Sequence, residues 1–404
     1  MKFKSLLLIG IFLVQISCSN EDNDFSVELP FSYDNTSVYL TSTQEADKKV
    51  IEIGGKTFVV NSERVFPVGQ ESVFKPVFRI PSITYTNKGT ILVASENRET
   101  ALDKEEIDIV LSRHTEAGSG WNISRIWRND SKTYGRSMNP VFLIDRLGIT
   151  GLKGRIFLFS CHFLQGVGYA NDAKTNEFDI VYKYSDDDGL SWSPEYSIKD
   201  YCDFSQYDIV IPSAANGIQL GDGTFLLPTM VSINTVWHSG VLYRKPEGKW
   251  VFSCPTPNEG DNECTVYIDN IGRIILDSRT TDKVRRKYSY DMDKDVWNLV
   301  SEAPVSLNIK AEIIRGNLEG KDVYLTSFPD TQEEVRENIT LFGSKDGSNW
   351  KRICLIQEGM CHFGYSNIAL FNNHLSVTFE TYLWGTRVID LSSFSHIIVD
   401  EIYN

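Results

Sequence analysis

Beyond residue 60 the apolar residues of this chain fall into short runs: TILVAS, RIFLFS, FDIVYKYS, TFLLPTMVS, RIILDS, DVYLTSF, ITLFGS and LSVTFE. Gly, Asn and Asp turns separate them, and long segments with apolar residues at helical spacing are few. Runs of this length, rich in Val, Ile, Phe and Tyr, predict β strands, and their density predicts an all-β architecture. A longer period overlies the strands. Five turn segments end in tryptophan, at Trp121 (EAGSGW), Trp192 (SDDDGLSW), Trp250 (KPEGKW), Trp297 (DMDKDVW) and Trp350 (SKDGSNW), separated by 71, 58, 47 and 53 residues. That is a repeat with insertions and deletions.

One copy, Ser185-x-Asp187-x-Gly189-x-x-Trp192, is complete. Its Asp can bond the backbone N–H groups of its own turn, its Gly can take positive φ, and its Trp can cover the hairpin's apolar side. The other copies are eroded: Glu116 stands for Asp in the first, Ser344 to Trp350 is one residue short, and the Trp250 and Trp297 copies keep little but the turn and the ring. The pattern resembles the Asp-box of sialidases and other β-propellers, which makes it a structural clamp. From Gln70 onward the chain divides into six units of about 56 residues, close to the mean Trp interval. A six-bladed β-propeller is therefore expected over residues 66–404.

The length of 404 residues alone suggests two or three domains, but the repeat absorbs most of it into one. Residues 19–65 are expected to form a tether and a short β segment that packs on the propeller or completes a blade. Residues 1–18 read as a signal peptide: two lysines, an apolar stretch from Leu6 to Ile16, then Ser17 and Cys18. The cysteine resembles the lipidated residue of bacterial lipoproteins, although Gln15 stands where an aliphatic residue is usual. The expectation is export, as an outer-membrane or cell-surface lipoprotein or else a periplasmic or secreted protein, with membrane contact only through that anchor.

Forty Lys and Arg against 54 Asp and Glu give a net charge of −14. No basic run follows the first residues, which argues against a nucleic-acid partner. Six cysteines remain after Cys18, with no CxxC pair; three disulfides and buried free thiols are both open. Six histidines without HExxH give no support to a zinc site.

The candidate chemistry begins with Arg79, set within the apolar Phe78-Arg79-Ile80-Pro81. A buried guanidinium needs an anionic partner, none is adjacent in sequence, and a ligand carboxylate would serve. FRIP followed by Asp-boxes resembles the sialidase family over roughly residues 70–404. The resemblance implies three arginines around the carboxylate of sialic acid: Arg79, Arg279 in GRIILDSR, and Arg336 ahead of the degenerate Asp-box. It makes Asp103, in SENRETALD, the general acid and base, with Glu105, Glu106 and Asp108 as competitors. Arg98 and Asn139 would line the pocket. Tyr365, in CHFGYSN, matches the family's nucleophile and Glu263, in NECTVYIDN, its partner glutamate. A neutral phenol suits attack on a carbon that bears a carboxylate, because a carboxylate nucleophile would meet like-charge repulsion. Trp237 is open between a contact to the aglycone or N-acyl group and a packing role.

The implied function is that of a retaining exo-α-sialidase acting on sialylated glycans through a tyrosyl-sugar intermediate, as a monomer and without metal or organic cofactor. The same residues also fit an intramolecular trans-sialidase or a hydrolase of a related nine-carbon keto acid. A propeller that binds sialoglycans without turnover is the reading from a different class.

Overall fold

The computed structural model describes residues 40–42, 46–66, 74–115, 120–129, 134–168, 173–174, 176–305, 309–331, 335–361, 363–382 and 385–404. The signal segment, Cys18 and Glu116 lie outside them. Three strands come first: β1 (Leu40–Ser42), β2 (Ala46–Ile53) and β3 (Lys56–Arg64). The remaining strands form consecutive antiparallel groups. The first is β4 (Val77–Tyr85), β5 (Ile91–Arg98), β6 (Ile107–His114) and β7 (Trp121–Trp127). The second is β8 (Tyr134–Asp145), β9 (Arg155–Leu164), β10 (Phe178–Ser185) and β11 (Tyr196–Ser197). The third comprises β12 (Ile209–Pro212), β13 (Ile218–Gln219), β14 (Phe225–Ile233), β15 (Val236–Arg244) and β16 (Val251–Phe252). The fourth is β17 (Asp261–Ile268), β18 (Ile274–Thr280), β19 (Val284–Asp291) and β20 (Val296–Pro304). The fifth is β21 (Ile313–Leu318), β22 (Lys321–Pro329), β23 (Glu337–Ser344) and β24 (Lys351–Met360), and the last holds β25 (Ser366–Phe371), β26 (His374–Glu380) and β27 (Thr386–Asp390). One α-helix, α1 (Ser395–Tyr403), closes the chain.

Inner strands of successive groups pack in a closed circuit, β4 on β8, β8 on β12, β12 beside its sheet partner β14, β14 on β17, β17 on β21, β21 on β25 and β25 back on β4. This is the all-β propeller that the strand runs predict. The last group takes its outer strands from the other end of the chain, since β3 pairs with β27 through Ser62↔Ile389 and β2 pairs with β3. β1 in turn adds to the edge of β7. Joining the two chain ends in one sheet ties the ring shut.

Apolar clusters fill the spaces between neighbouring groups. Phe157, Phe159, Leu227 and Leu242 are among those joining the second group to the third, and Leu325, Leu341, Val377 and Ile398 join the fifth to the last and to α1. Each such side chain contributes about 1.5–3 kcal/mol on full burial. The contact between the fourth and fifth groups is thinnest, built on Tyr267, Ile275, Ile313 and Tyr324. A cavity of about 750 Å³ opens there.

The tryptophan repeat finds its place in this plan. Trp121 begins β7 and Trp192 precedes β11, while Trp250, Trp297 and Trp350 stand at the starts of β16, β20 and β24. Each follows the turn between a third and a fourth strand, once β12 and β13, which both pair with β14, are counted as one interrupted strand. The last group takes its fourth strand from the N-terminal segment, so it has no such turn. In the complete copy Ser191 N and Ser185 Oγ donate to Asp187 Oδ1 at 2.8 and 2.9 Å. Gly189 has φ +82, and a Cβ there would approach Leu92 to 3.0 Å. All six cysteines beyond Cys18 are free thiols, which settles the open choice against disulfides.

Candidate active site

Pro81 and Pro140 lie inside β4 and β8, and a proline, which has no N–H to give a ladder, is accommodated within a strand at an edge or a bulge. Both strands bulge: the register shifts between Arg79 and Ser82 and between Met138 and Val141. Ile80 and Asn139, just before the prolines, have φ +50 and +53. Positive φ is a true outlier for a β-branched residue such as Ile80, so the surroundings must hold it. Glu380 does this for Ile80, accepting its N–H at 2.9 Å, and Glu96 does it for Asn139 at 2.7 Å. In each case a glutamate on the second strand of one group secures the bulge on the first strand of the next.

Glu380 also accepts from Arg79 Nε at 3.3 Å and from Tyr365 N at 3.1 Å. It is the anionic partner that Arg79 lacks in the local sequence, and it ties the first arginine to the tyrosine. Arg79 Nη1 lies 3.7 Å from Asp103 Oδ1.

Tyr365 is 8% exposed and donates its hydroxyl hydrogen to Glu263 Oε1 at 2.6 Å. Arg279 Nη1 bonds Glu263 Oε2 and reaches the tyrosine hydroxyl at 3.4 Å. The Cζ atoms of Arg79 and Arg336 lie 5.6 and 5.8 Å from the centre of the Tyr365 ring. Three arginines from three strand groups thus converge on one tyrosine. Burial pushes the Tyr365 phenol up, and the Glu263 charge adds to this against the pull of Arg279 and Arg336. The phenol therefore stays protonated until a base takes its proton. Burial works against the Arg279 cation, yet Glu263 and Tyr365 leave its pKa raised.

The Asp103 side chain is 46% exposed, whereas that of Glu263 is 10% exposed. The competitors for its role are engaged elsewhere: Asp108 accepts from Asn129 N and lies 3.6 Å from Lys75 Nζ, Glu105 accepts from Thr100 Oγ1, and Glu106 is 57% exposed beside Lys75. Arg98 departs from expectation. It is fully buried, and its contacts run to Glu96 Oε2, to Ala101 O and, at 2.5 Å, to Asp103 Oδ1 rather than to open space. Burial pushes the Glu96 carboxyl up, and the Arg98 charge opposes this. Asn139 is likewise turned inward, with Nδ2 donating to Pro212 O at 2.7 Å. Glu96 claims Arg98 and the backbone N–H of Asn139, and Pro212 O claims the Asn139 amide, so both side chains are engaged inside the fold. Trp237 packs partly buried against the apolar cluster of the second and third groups.

Sequence reading passed over Glu96 and Lys310 and saw Glu380 only as a strand end. Lys310 is 2% exposed and donates to Ser366 O at 3.1 Å. Burial lowers its pKa, and Glu312, Glu263 and Glu380 counter this. A charged residue closing an apolar run, as in VTFE and LVASE, is the one local signal for the two glutamates. Among the described residues no group of His, Cys, Asp or Glu could hold a metal ion, and no helix is long and apolar enough to cross a membrane.

A family model for the BNR repeat-like domain matches residues 89–377. A sialidase of Clostridium perfringens is 26% identical over 350 residues, covering 75% of this chain and 86% of the relative. A sialidase of Bacteroides fragilis (strain YCH46) is 24% identical over 329 residues, and there the match covers 75% of this chain but 60% of the relative. The solved structure of the Hadza microbial sialidase Hz136 superposes with a TM-score of 0.72 at 23% identity, over 85% of this chain and 71% of that one.

Proposed function

The chain belongs to the BNR repeat-like family and, within it, to the sialidases, which are glycoside hydrolases, and we propose that it releases terminal sialic acid from glycoconjugates with retention of configuration. The observation that carries this reading is the Glu263–Tyr365–Arg279 contact, a buried phenol with a base at 2.6 Å and a cation on both partners.

The arginines Arg79, Arg279 and Arg336 bind the sugar carboxylate through charge-assisted hydrogen bonds and present the anomeric carbon to Tyr365. They supply local positive charge in a chain of net charge −14. Tyr365 Oη attacks that carbon while Glu263 Oε1 takes the phenolic proton. Asp103, protonated, gives its proton to the departing glycosidic oxygen, so the C–O bond to the aglycone breaks as the C–O bond to tyrosine forms. In the second half Asp103 takes a proton from water, the hydroxide oxygen bonds to the anomeric carbon, and the tyrosine leaves with its proton returned from Glu263. Glu380 and Glu96 act through others: the first holds Arg79 and Tyr365 in register, and the second holds Arg98 against Asp103. No step calls for a metal or organic cofactor.

The test is turnover of a fluorogenic α-sialoside by the purified protein, with the product followed by NMR. Release of free α-sialic acid supports the hydrolase. An anhydro sugar would reassign the second half to attack by a substrate hydroxyl. Absence of turnover, unchanged in Tyr365→Phe, would refute the proposal.

A further inference from the structure

Phe363 touches two of the three arginines. Its ring centre lies 3.5 Å from Arg79 Cζ, and its backbone oxygen accepts from Arg336 Nη1 at 2.6 Å. The ring also packs against Ile80, Ala214 and Tyr365. We propose that Phe363 is a positioning residue of the carboxylate site, fixing the plane of Arg79 with its ring and the place of Arg336 with its carbonyl. The inference rests on the sialidase reading above.

A guanidinium binds a carboxylate in its own plane, through its fork of N–H groups. An aromatic ring on its face leaves that fork open and is attracted by the charge. Arg79 is thus held on two sides, by Glu380 at Nε along its edge and by Phe363 across its face. Together these set which way the remaining N–H groups point.

The segment that carries Phe363 is itself pinned. Gly364 N donates to Cys361 O at 2.9 Å, and Cys361 N donates to Arg336 O at 2.9 Å. Gly364 has φ +66, and a Cβ there would come within 2.6 Å of Pro329 and 3.2 Å of Arg336. The turn fits only with glycine, and it locks the ring two residues ahead of Tyr365. Any ligand carboxylate placed by Arg79 and Arg336 is thereby placed relative to the nucleophile.

The test compares Phe363→Leu, which keeps apolar bulk without a π face, with Phe363→Tyr, which keeps the face. KM, kcat and the inhibition constants of a 2,3-didehydro sialic acid and its methyl ester are measured for each. Leu is expected to raise KM and the constant for the free acid about 3- to 30-fold, with the ester and kcat little changed, while Tyr stays near wild type. Should Leu not fold, fluorinated phenylalanines at position 363 keep shape while weakening the π face, and KM is expected to climb with each fluorine. Wild-type kinetics for Leu, equal losses in Leu and Tyr, or a KM indifferent to fluorination would overturn the proposal. Each of these is separate from failure of the sialidase reading, which shows as absence of wild-type turnover.

Discussion

Tyr365 and Glu263, 102 residues apart in the chain, share a hydrogen bond of 2.6 Å in a buried setting. Neither has its partner within its own strand group, so the contact exists only once the ring closes. Glu263→Gln keeps the shape but cannot take the phenolic proton. It is expected to lower kcat by about 10²–10⁴-fold with KM little changed. Tyr365→Phe should lose at least as much while still binding a sialic acid analogue, as read by calorimetry.

Asp103 differs from Glu263 in being half exposed and in facing Arg79 and Arg98. If it protonates the leaving oxygen, its removal matters most when the aglycone cannot leave unaided. Asp103→Ala is expected to cost about 10²–10⁴-fold on natural sialosides and far less on a nitrophenyl sialoside. Equal losses on both substrates would assign Asp103 another role.

The three arginines should separate by what else they hold. Arg336 bonds the Phe363 carbonyl and flanks the ring, whereas Arg279 bonds Glu263 itself. Arg336→Met is expected to weaken substrate binding by about 2–5 kcal/mol, seen in KM with kcat largely kept. Arg279→Met also strands the Glu263 carboxylate, so kcat should fall together with binding. An exposed lysine such as Lys294 changed to Met should affect neither.

The strand runs and the Trp period were enough to read the fold class, because alternation and turn chemistry are local. Arg79, Tyr365 and Glu263 were legible because each sits in a motif. Glu380 and Glu96 were not, since their partners are N–H groups of bulged residues in a neighbouring strand group, which no local pattern records. The misplacement of Arg98 has a different origin: Glu96 stands two residues ahead of it on the same strand, but sequence does not show that both side chains are buried and paired with each other. The place of β2 and β3 was undecided, because completing the last sheet depends on a strand more than 300 residues away.

The Asp-box turns predict a stability effect without a catalytic one. In the first group Asp103 lies in the loop joining the second strand to the third, whereas Asp187 lies in the turn joining the third strand of the second group to its fourth, at the opposite end of such a strand. Hydrogen bonds from Ser191 and Ser185 outweigh burial and hold the Asp187 carboxyl below the usual carboxylate range. The neighbouring Asp188 accepts from Thr90 Oγ1 at 2.5 Å and Arg113 Nη2 at 2.7 Å, so the turn also fastens the second group to the first. Asp187→Ala is expected to lower stability by about 1–3 kcal/mol, measured by thermal melting, with kcat/KM at 25 °C unchanged.

His162 gives the fold a pH dependence of its own. It lies 3% exposed in β9, edge-on to Trp127, with Lys183 beside it and Nδ1 3.7 Å from Glu195. The Glu195 carboxylate accepts from Trp127 Nε1 at 2.7 Å, which draws it away from the imidazole. Burial, and then the Lys183 charge, push the His162 pKa down from 6.5 to about 3. The folded protein thus keeps the ring neutral where the unfolded chain protonates it. Stability from this residue is whole above pH 6.5 and is lost as pH falls, by about 1.4 kcal/mol per pH unit toward pH 3. Asp179 works in the opposite sense, because burial pushes its pKa up to about 6, so folding favours its protonated form as pH falls below that value. The two contributions overlap between pH 4 and 6, and only a comparison separates them. Chemical denaturation of wild type and His162→Gln between pH 7 and 4 should show two curves that converge as pH falls, the variant losing less. Parallel curves would mean that the ring is charged in the folded state, with Glu195 as its counter-ion.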